Sequence, residues 1–515
     1  MANSVKHGLD LLLINPGGKE KVYQNLSNTL MAKEPPIWCG MIATFIRNHG
    51  FSVAILDANV LDMPVIEVAR QVETMRPLLT VVVVYGQNPS ASTMVMPAAI
   101  ALSQEIKANL PDFSLLLLGG HVAALPQQSL QESGADFVCD GEGPYTVLDL
   151  LHTLQASLRP SLSKVRGLVY RHEGVTLRNR SAPLVTDLDG EMGGMAMDLL
   201  PMDRYRAHNW HCFDHLDQRQ PYGSIYTSLG CPFHCHFCCI QAPFKPGQKE
   251  MGLSDKANTY RTWSAESVVR QIDILVQQYG VKNIKFADEL FVIKKSHVEA
   301  ICNLLLQRKY DLNIWAYARV DRGSQELFDK MKQVGINWVC LGIESGSKRV
   351  RDDVAKGFQE DDLVQAMDSI RNKAGIYVLG NYLFGLPEDD HASMQETLDL
   401  AMELNCEFAN FYCAMSYPGS QLYDRAHKMG LRLPESWSGY SQHAFDTLPL
   451  PTDHISGVEV LRFRDQAFTT YFTSDRYLAM IESTFGPTVR QHVLEMASQP
   501  LPRQYLQEED HGIPG

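Results

Sequence analysis

Tyr226-Thr227-Ser228-Leu229-Gly230-Cys231-Pro232-Phe233-His234-Cys235-His236-Phe237-Cys238-Cys239 is the stretch on which the reading of this chain turns. It places a C-x3-C-x2-C run directly after Ser224–Thr227, a short segment that reads as a β-strand. Three thiolates on one loop can bind three irons of a [4Fe-4S] cube and leave the fourth iron open to a chelating small molecule. The plainer alternative is a zinc site completed by Cys239, His234 or His236. Zinc normally draws a second ligand pair from a distant knuckle, and the sequence offers no such pair. The other seven of the eleven cysteines (Cys39, Cys139, Cys212, Cys302, Cys340, Cys406, Cys413) are scattered and read as small buried hydrophobes.

Outward from the motif, strand-like runs recur at Asn283–Phe286, Asn313–Tyr317, Trp338–Ile343, Tyr377–Leu383 and Phe408–Met415. Helical stretches such as Ala265–Tyr279 and Val298–Gln307 lie between them. Six βα units fit an incomplete barrel better than an eight-unit one. A second alternating array precedes it, with strands at Leu11–Asn15, Ser52–Asp57, Thr80–Tyr85, Ser114–Leu118 and Phe137–Cys139. Continuous apolar runs of this kind predict a doubly wound parallel sheet buried on both faces. The expected fold class is therefore α/β: a Rossmann-like sheet, a partial (β/α)6 barrel and a mostly helical C-terminal segment.

The domain boundaries that follow are 1–155, a connecting segment 156–218 with one small hairpin, a core at 219–428, and a helical segment 429–515. Within the last, Ser456–Met480 can bury Leu461, Phe463, Phe468, Tyr471 and Phe472. At 515 residues the chain exceeds what one core supports, and 45% hydrophobic with 20% charged residues is ordinary globular usage. A net charge of −13 argues against a phosphate-backbone partner, so no nucleic acid is expected. Met1–His7 lead through Asp10 into Leu11–Ile14, a run too brief for a signal peptide or a membrane span. The expectation is a cytoplasmic protein.

With these residues in order, the chain resembles the radical S-adenosylmethionine (SAM) superfamily. The resemblance implies that Cys231, Cys235 and Cys238 hold a [4Fe-4S] cluster, that SAM chelates its open iron, and that cleavage of SAM yields a 5′-deoxyadenosyl radical. It further implies that Phe237 packs near the adenine and that Asp288 and Glu289, in Phe286-Ala287-Asp288-Glu289, lie near the amino group of SAM. Arg319 at the next strand end could pair with a carboxylate. Glu344 and Ser345, in Gly342-Ile343-Glu344-Ser345-Gly346, resemble SAM contacts, and Gly380–Pro387 resembles the adenine-side strand.

Residues 10–155 resemble the cobalamin-binding domain that precedes many such cores. Pro35-Pro36, Leu56-Asp57-Ala58, Asn88-Pro89-Ser90, Gly119-Gly120-His121 and Gly141-Glu142-Gly143 carry this likeness. It implies that Asn15, Ser90, Ser92, Thr93, Gly119, Gly120 and Glu142 face cobalamin. The D-x-H-x-x-G signature is absent where Asn15-Pro16-Gly17-Gly18 stands, so cobalamin would be held without a protein histidine on cobalt. His121 reads as a satisfied turn residue, and Trp38, Tyr85 and Met94 as core. The two cofactors together imply methylation of an unactivated carbon of a small molecule, with an electron donor such as flavodoxin or ferredoxin. An anaerobic oxidative cyclase, a ring-rearranging enzyme, and a non-catalytic iron-sulfur electron-transfer or sensor protein are the other readings. No catalytic side chain and no substrate can be named from the sequence.

Overall fold

The computed structural model describes residues 8–26, 30–88, 90–156 and 161–510. Met1–His7 and Pro89 of the Asn88-Pro89-Ser90 match lie outside the described residues.

Strands β1 (Leu11–Asn15), β2 (Val53–Asp57), β3 (Leu79–Val83), β4 (Leu115–Leu118) and β5 (Phe137–Cys139) form a parallel sheet in the order β2-β1-β3-β4-β5. The strands are buried on both sides because their side chains alternate between two cores. Leu11 and Leu13 point into the main core, while Leu12 and Ile14 point into a second core shared with Val68, Val72, Leu102 and Ile106. The order reverses between β1 and β3, which makes their carboxyl ends the switch point where ligands bind in open α/β sheets.

The hairpin expected in the connecting segment is β6 (Leu168–His172) with β7 (Val175–Arg178). Glu173 (φ 50°) and Gly174 (φ 80°) form its two-residue turn, which needs positive φ at both positions. It pairs antiparallel to β5 and so extends the first sheet to seven strands.

The second sheet runs β8 (Tyr222–Ile225), β11 (Asn283–Phe286), β12 (Asn313–Ala318), β13 (Ile336–Glu344), β14 (Tyr377–Phe384) and β15 (Phe408–Cys413), every neighbour parallel and in chain order. This is the six-unit open barrel that the alternation predicts. β8 ends two residues earlier than expected, because the chain turns at Thr227 and Ser228–Leu229 (β9) pairs antiparallel with Arg261–Thr262 (β10). The intervening helices obey ordinary rules. Ala265–Tyr279 starts at Ser264, whose side chain caps Ser267 N, stops at Gly280 in the left-handed region, and buries Val268, Ile272 and Leu275.

The C-terminal helix Gly457–Thr473 packs on the free edge of β15, and Asp475–Phe485 and Pro487–Ala497 pack against that helix and each other. Tyr471 and Tyr477 donate to the carbonyls of Cys406 and Glu407, and the Arg464 guanidinium donates to that of Phe411. Covering the edge in this way blocks further strand pairing. Ser456–Met480 breaks at Ser474, which caps the second helix, and Leu461, Tyr471 and Phe472 are buried as expected while Phe463 and Phe468 are only partly so.

Candidate functional site

The cysteine loop is held from beneath. Thr227 donates to Asp288 through its amide (2.6 Å) and its hydroxyl (2.5 Å), and the Ser228 hydroxyl adds a third bond at 2.8 Å. Asp288 is fully buried, and burial raises its carboxyl to about 6 even with these donors opposing it. Its oxygens fasten the loop, and Asp288 also lines the cavity onto which the three cysteines open. Gly230 (φ 85°) then turns the chain, since a Cβ there would stand 2.3 Å from the Thr259 carbonyl oxygen. The Gln241 side chain fixes the Cys231 carbonyl at 2.8 Å.

Of the eleven cysteines, only Cys231, Cys235 and Cys238 escape full burial. All three line a cavity of about 330 Å³ at the carboxyl ends of the barrel strands. Burial pushes the Cys231 thiol up to about 11 and that of Cys238 well above its ordinary range, so thiolates here require a cationic partner. Among the described residues no group of three His, Cys, Asp or Glu side chains is arranged to hold a single metal ion. Three thiols on one loop are a donor set that fits a polynuclear cluster with one open corner.

Around the thiols, lining the same cavity, stand Phe237, Asp288, Glu289, Arg319 and Glu344. One oxygen of Glu289 is buried without a partner, and burial raises its carboxyl to about 8. An orphaned buried acceptor in this wall fits a cationic or N–H-bearing ligand. The Arg319 guanidinium is braced by Asp321 at 2.8 Å and lies 4.0 Å from the centre of the Phe233 ring. Glu344 sits at a bulge with φ 64° and accepts from Lys356 Nζ at 2.8 Å. Lys356 is the site residue that sequence reasoning missed here, since a lysine in a short loop carries no spacing signal. Ser345 lies off the cavity: it is fully buried, and its hydroxyl bonds with that of Thr397 and accepts from Ser347 N.

The first sheet contributes the facing wall. Asn15 lines a small cavity of about 70 Å³ at the switch point, its amide held by Asp57 at 2.8 Å. Ser90 lines the thiol cavity. Thr93 and Gly120 line a narrow crevice of about 20 Å³ on the other side of β3. The remaining expected cobalamin contacts, Ser92, Gly119 and Glu142, line none of these three cavities. Ser92 donates to the Val84 carbonyl and accepts from His121 N, and Gly119 lets β3 approach within a distance no Cβ permits. Glu142 is drawn into the domain joint, because a buried carboxylate needs a counter-charge; it pairs with Arg261 at 2.7 Å and accepts from Val185 N.

His121 is buried, and burial pushes its imidazole down to about 3. Its ring touches Thr93 Oγ1 and meets Trp437 edge-on at 4.4 Å. His121 lines the narrow crevice with Thr93 and Gly120, its Nε2 buried without a partner, whereas neither the switch-point cavity nor the thiol cavity has a histidine among its described lining residues. Trp38 and Tyr85 stack at 4.0 Å as core residues.

Gln87 and Met94 line three cavities at once: the thiol cavity, the switch-point cavity, and a larger chamber of about 390 Å³ inside the barrel and under the C-terminal helices. Beside them the Lys285 ammonium bonds to both oxygens of Glu34 (2.9 and 3.2 Å) and to the Gln87 carbonyl (3.0 Å). This bridge ties β11 to the first domain at the meeting point of the cavities. Glu34 and Lys285 had no motif to mark them, since their pairing depends on the docking of two domains.

A family model described as the radical SAM superfamily matches residues 225–401, and one described as the B12 binding domain matches residues 26–151. An uncharacterized methyltransferase of Pyrococcus horikoshii is 26% identical over 472 residues, covering 91% of this chain and 94% of the relative. Among solved structures, the radical S-adenosylmethionine methyltransferase TsrM from Kitasatospora setae, with cobalamin and a [4Fe-4S] cluster bound, aligns over 95% of this chain and 98% of its own at a TM-score of 0.67 and 16% identity. The cobalamin-dependent radical enzyme OxsB, with aqua-cobalamin and SAM bound, aligns over 95% of this chain and 71% of its own at a TM-score of 0.68 and 16% identity.

Proposed function

Because the chain belongs to the radical SAM superfamily and carries a B12-binding domain ahead of that core, we propose that it is a C-methyltransferase acting on an unactivated carbon of a small molecule. Cys231, Cys235 and Cys238 would hold the [4Fe-4S] cluster, with SAM beside it and cobalamin on the carboxyl edge of the first sheet. When bound, the cluster with SAM supplies a radical that takes a hydrogen atom from carbon, and cobalamin supplies the methyl group.

The observation that carries this reading is the junction at Gln87 and Met94. A carbon placed there borders the thiol cavity on one side and the β1/β3 switch point on the other. The protein's own work is then positioning and exclusion of water. Asp288 keeps the cysteine loop in place, Glu289 offers its unpartnered oxygen to the amino group of SAM, and Phe237 covers the thiols from the side of Leu383 and Ala414. The Glu344–Lys356 pair leaves that wall electrically balanced.

The test is incubation of the reconstituted, cobalamin-loaded protein with reductant and SAM bearing a labelled methyl group. Formation of S-adenosylhomocysteine with label on the cobalamin is expected; a protein fully loaded with cobalamin that never takes the label would contradict methyl transfer. A second outcome concerns cobalt. His121→Ala should retain cobalamin with an unchanged corrinoid spectrum, and a shifted spectrum in that variant would make His121 a cobalt ligand.

Among the described residues no helix is long and apolar enough to cross a membrane. A cytoplasmic location and a flavodoxin- or ferredoxin-like electron donor complete the reading.

A further inference from the structure

The 390 Å³ chamber beyond the Gln87–Met94 junction is distinct in character from the thiol cavity. Its wall is rich in rings, among them Tyr23, Trp210, Trp315, Phe408 and Phe468. Among its described lining residues every formal charge already has a partner inside the protein. Glu34 is paired with Lys285, and Asp465 with Arg464 at 2.7 Å and with Arg503 at 2.9 Å, so the four lining charges (Glu34, Lys285, Arg464, Asp465) sum to zero. The two histidines in the wall, His208 and His443, are held in the neutral form by burial.

An ion entering such a space would lose its water and find no free counter-charge, which costs several kcal/mol. A neutral ring system would instead exchange water for aromatic and aliphatic walls, at about 25 cal/mol per Å² removed from water. Polar side chains are spaced among the rings, including Asn410, Thr469 and Gln499, and His443 Nδ1 is buried without a partner. The volume is more than twice the roughly 150 Å³ that encloses a single benzene ring, and it lies in the range of small-molecule sites, about 300–1,000 Å³.

We propose that this chamber is the substrate site and that the portion of the substrate it takes is an uncharged, largely apolar ring system of two or three fused rings that bears hydrogen-bonding groups. The assignment rests on the methyltransferase reading for the word substrate, while the ligand class rests on the wall alone. The carbon to be modified then lies at the end of the ring system nearest Gln87, Tyr317 and Tyr412, which border the thiol cavity as well.

Three probes of one shape and different charge test the class: 2-naphthamide, 2-naphthoate and 2-naphthylmethylammonium, titrated calorimetrically into the cluster- and cobalamin-loaded protein. The amide is expected to bind at one site per chain and at least about tenfold tighter than either ion. Ala409→Trp, which fills the chamber from β15, should abolish amide binding. Phe468→Ala, on the partly buried face of a C-terminal helix, should weaken it about five- to tenfold through loss of ring stacking. Either ion binding as tightly as the amide would overturn the proposed class. Unchanged amide affinity in Phe468→Ala, or in a folded Ala409→Trp, would overturn the location. These titrations need no turnover, so a protein that makes S-adenosylhomocysteine yet rejects the amide loses only the ligand class. One that binds the amide but never makes S-adenosylhomocysteine loses only the reaction.

Discussion

Replacing Cys235 by alanine abolishes the visible iron-sulfur absorbance and drops bound iron to background after anaerobic reconstitution; the same holds for Cys231 and Cys238. The expectation follows from the donor set. These three lie on one loop and are the ones not fully buried, while Cys239 and Cys413, which also border the cavity, are buried. Cys239, the nearest alternative, is buried against Met415 and Tyr417, and the remaining cysteines are buried in the core. With two thiolates left, a cube has two open corners and is exposed to loss. Cys239→Ala is the contrasting variant, and full iron in Cys239→Ala with none in Cys235→Ala is the expected pattern. Full iron in Cys235→Ala would refute the ligand assignment.

Lys285→Met should destabilise the protein by about 3–5 kcal/mol, the range for removing one partner of a buried ion pair. Lys285 and Glu34 are 5% and 3% exposed, so a lone Glu34 carboxylate would stay in a dry wall with only His208 and the Ser224 hydroxyl near it. The double variant Glu34→Gln/Lys285→Met should recover much of the loss, which separates an unpaired charge from lost packing. The pair also makes a pH statement. Burial alone would raise the Glu34 carboxyl, but Lys285 and His208 more than offset it and hold it at about 2, below its ordinary 4.5. A carboxyl depressed by folding contributes stability that is fully present above pH 4.5 and is lost as pH falls toward about 2. Denaturant melts at descending pH should show that loss in the wild type and a smaller one in the double variant. Equal acid sensitivity in both would remove Glu34 from the account.

Most of the architecture was legible because buried parallel strands announce themselves. Leu11–Ile14 and Leu115–Leu118 are unbroken apolar runs, and both are strands with nothing but core on either face. The cysteine spacing was equally plain, since a loop ligand set is local in sequence. What could not be read is whatever two distant segments make together. Glu142 and Ser92 look like ligand-facing groups at strand ends, yet one is used to join the domains through Arg261 and the other to clamp Val84 to His121. Glu34, Lys285 and Lys356 carry no periodicity or motif, and they acquire a role only when docking of the domains or a strand bulge brings in the opposite charge. The chamber under the C-terminal helices is of the same kind. Phe468 reads only as a residue for its helix to bury, and it is closure of the C-terminal segment over β12–β15 that encloses the space.

The most direct measurement is 5′-deoxyadenosine formation by the reduced, anaerobically reconstituted protein incubated with SAM. Wild type should release 5′-deoxyadenosine, with or without a substrate to couple it, and Cys235→Ala should release none. A wild-type protein carrying its full complement of iron and cobalamin that leaves SAM uncleaved would contradict the account.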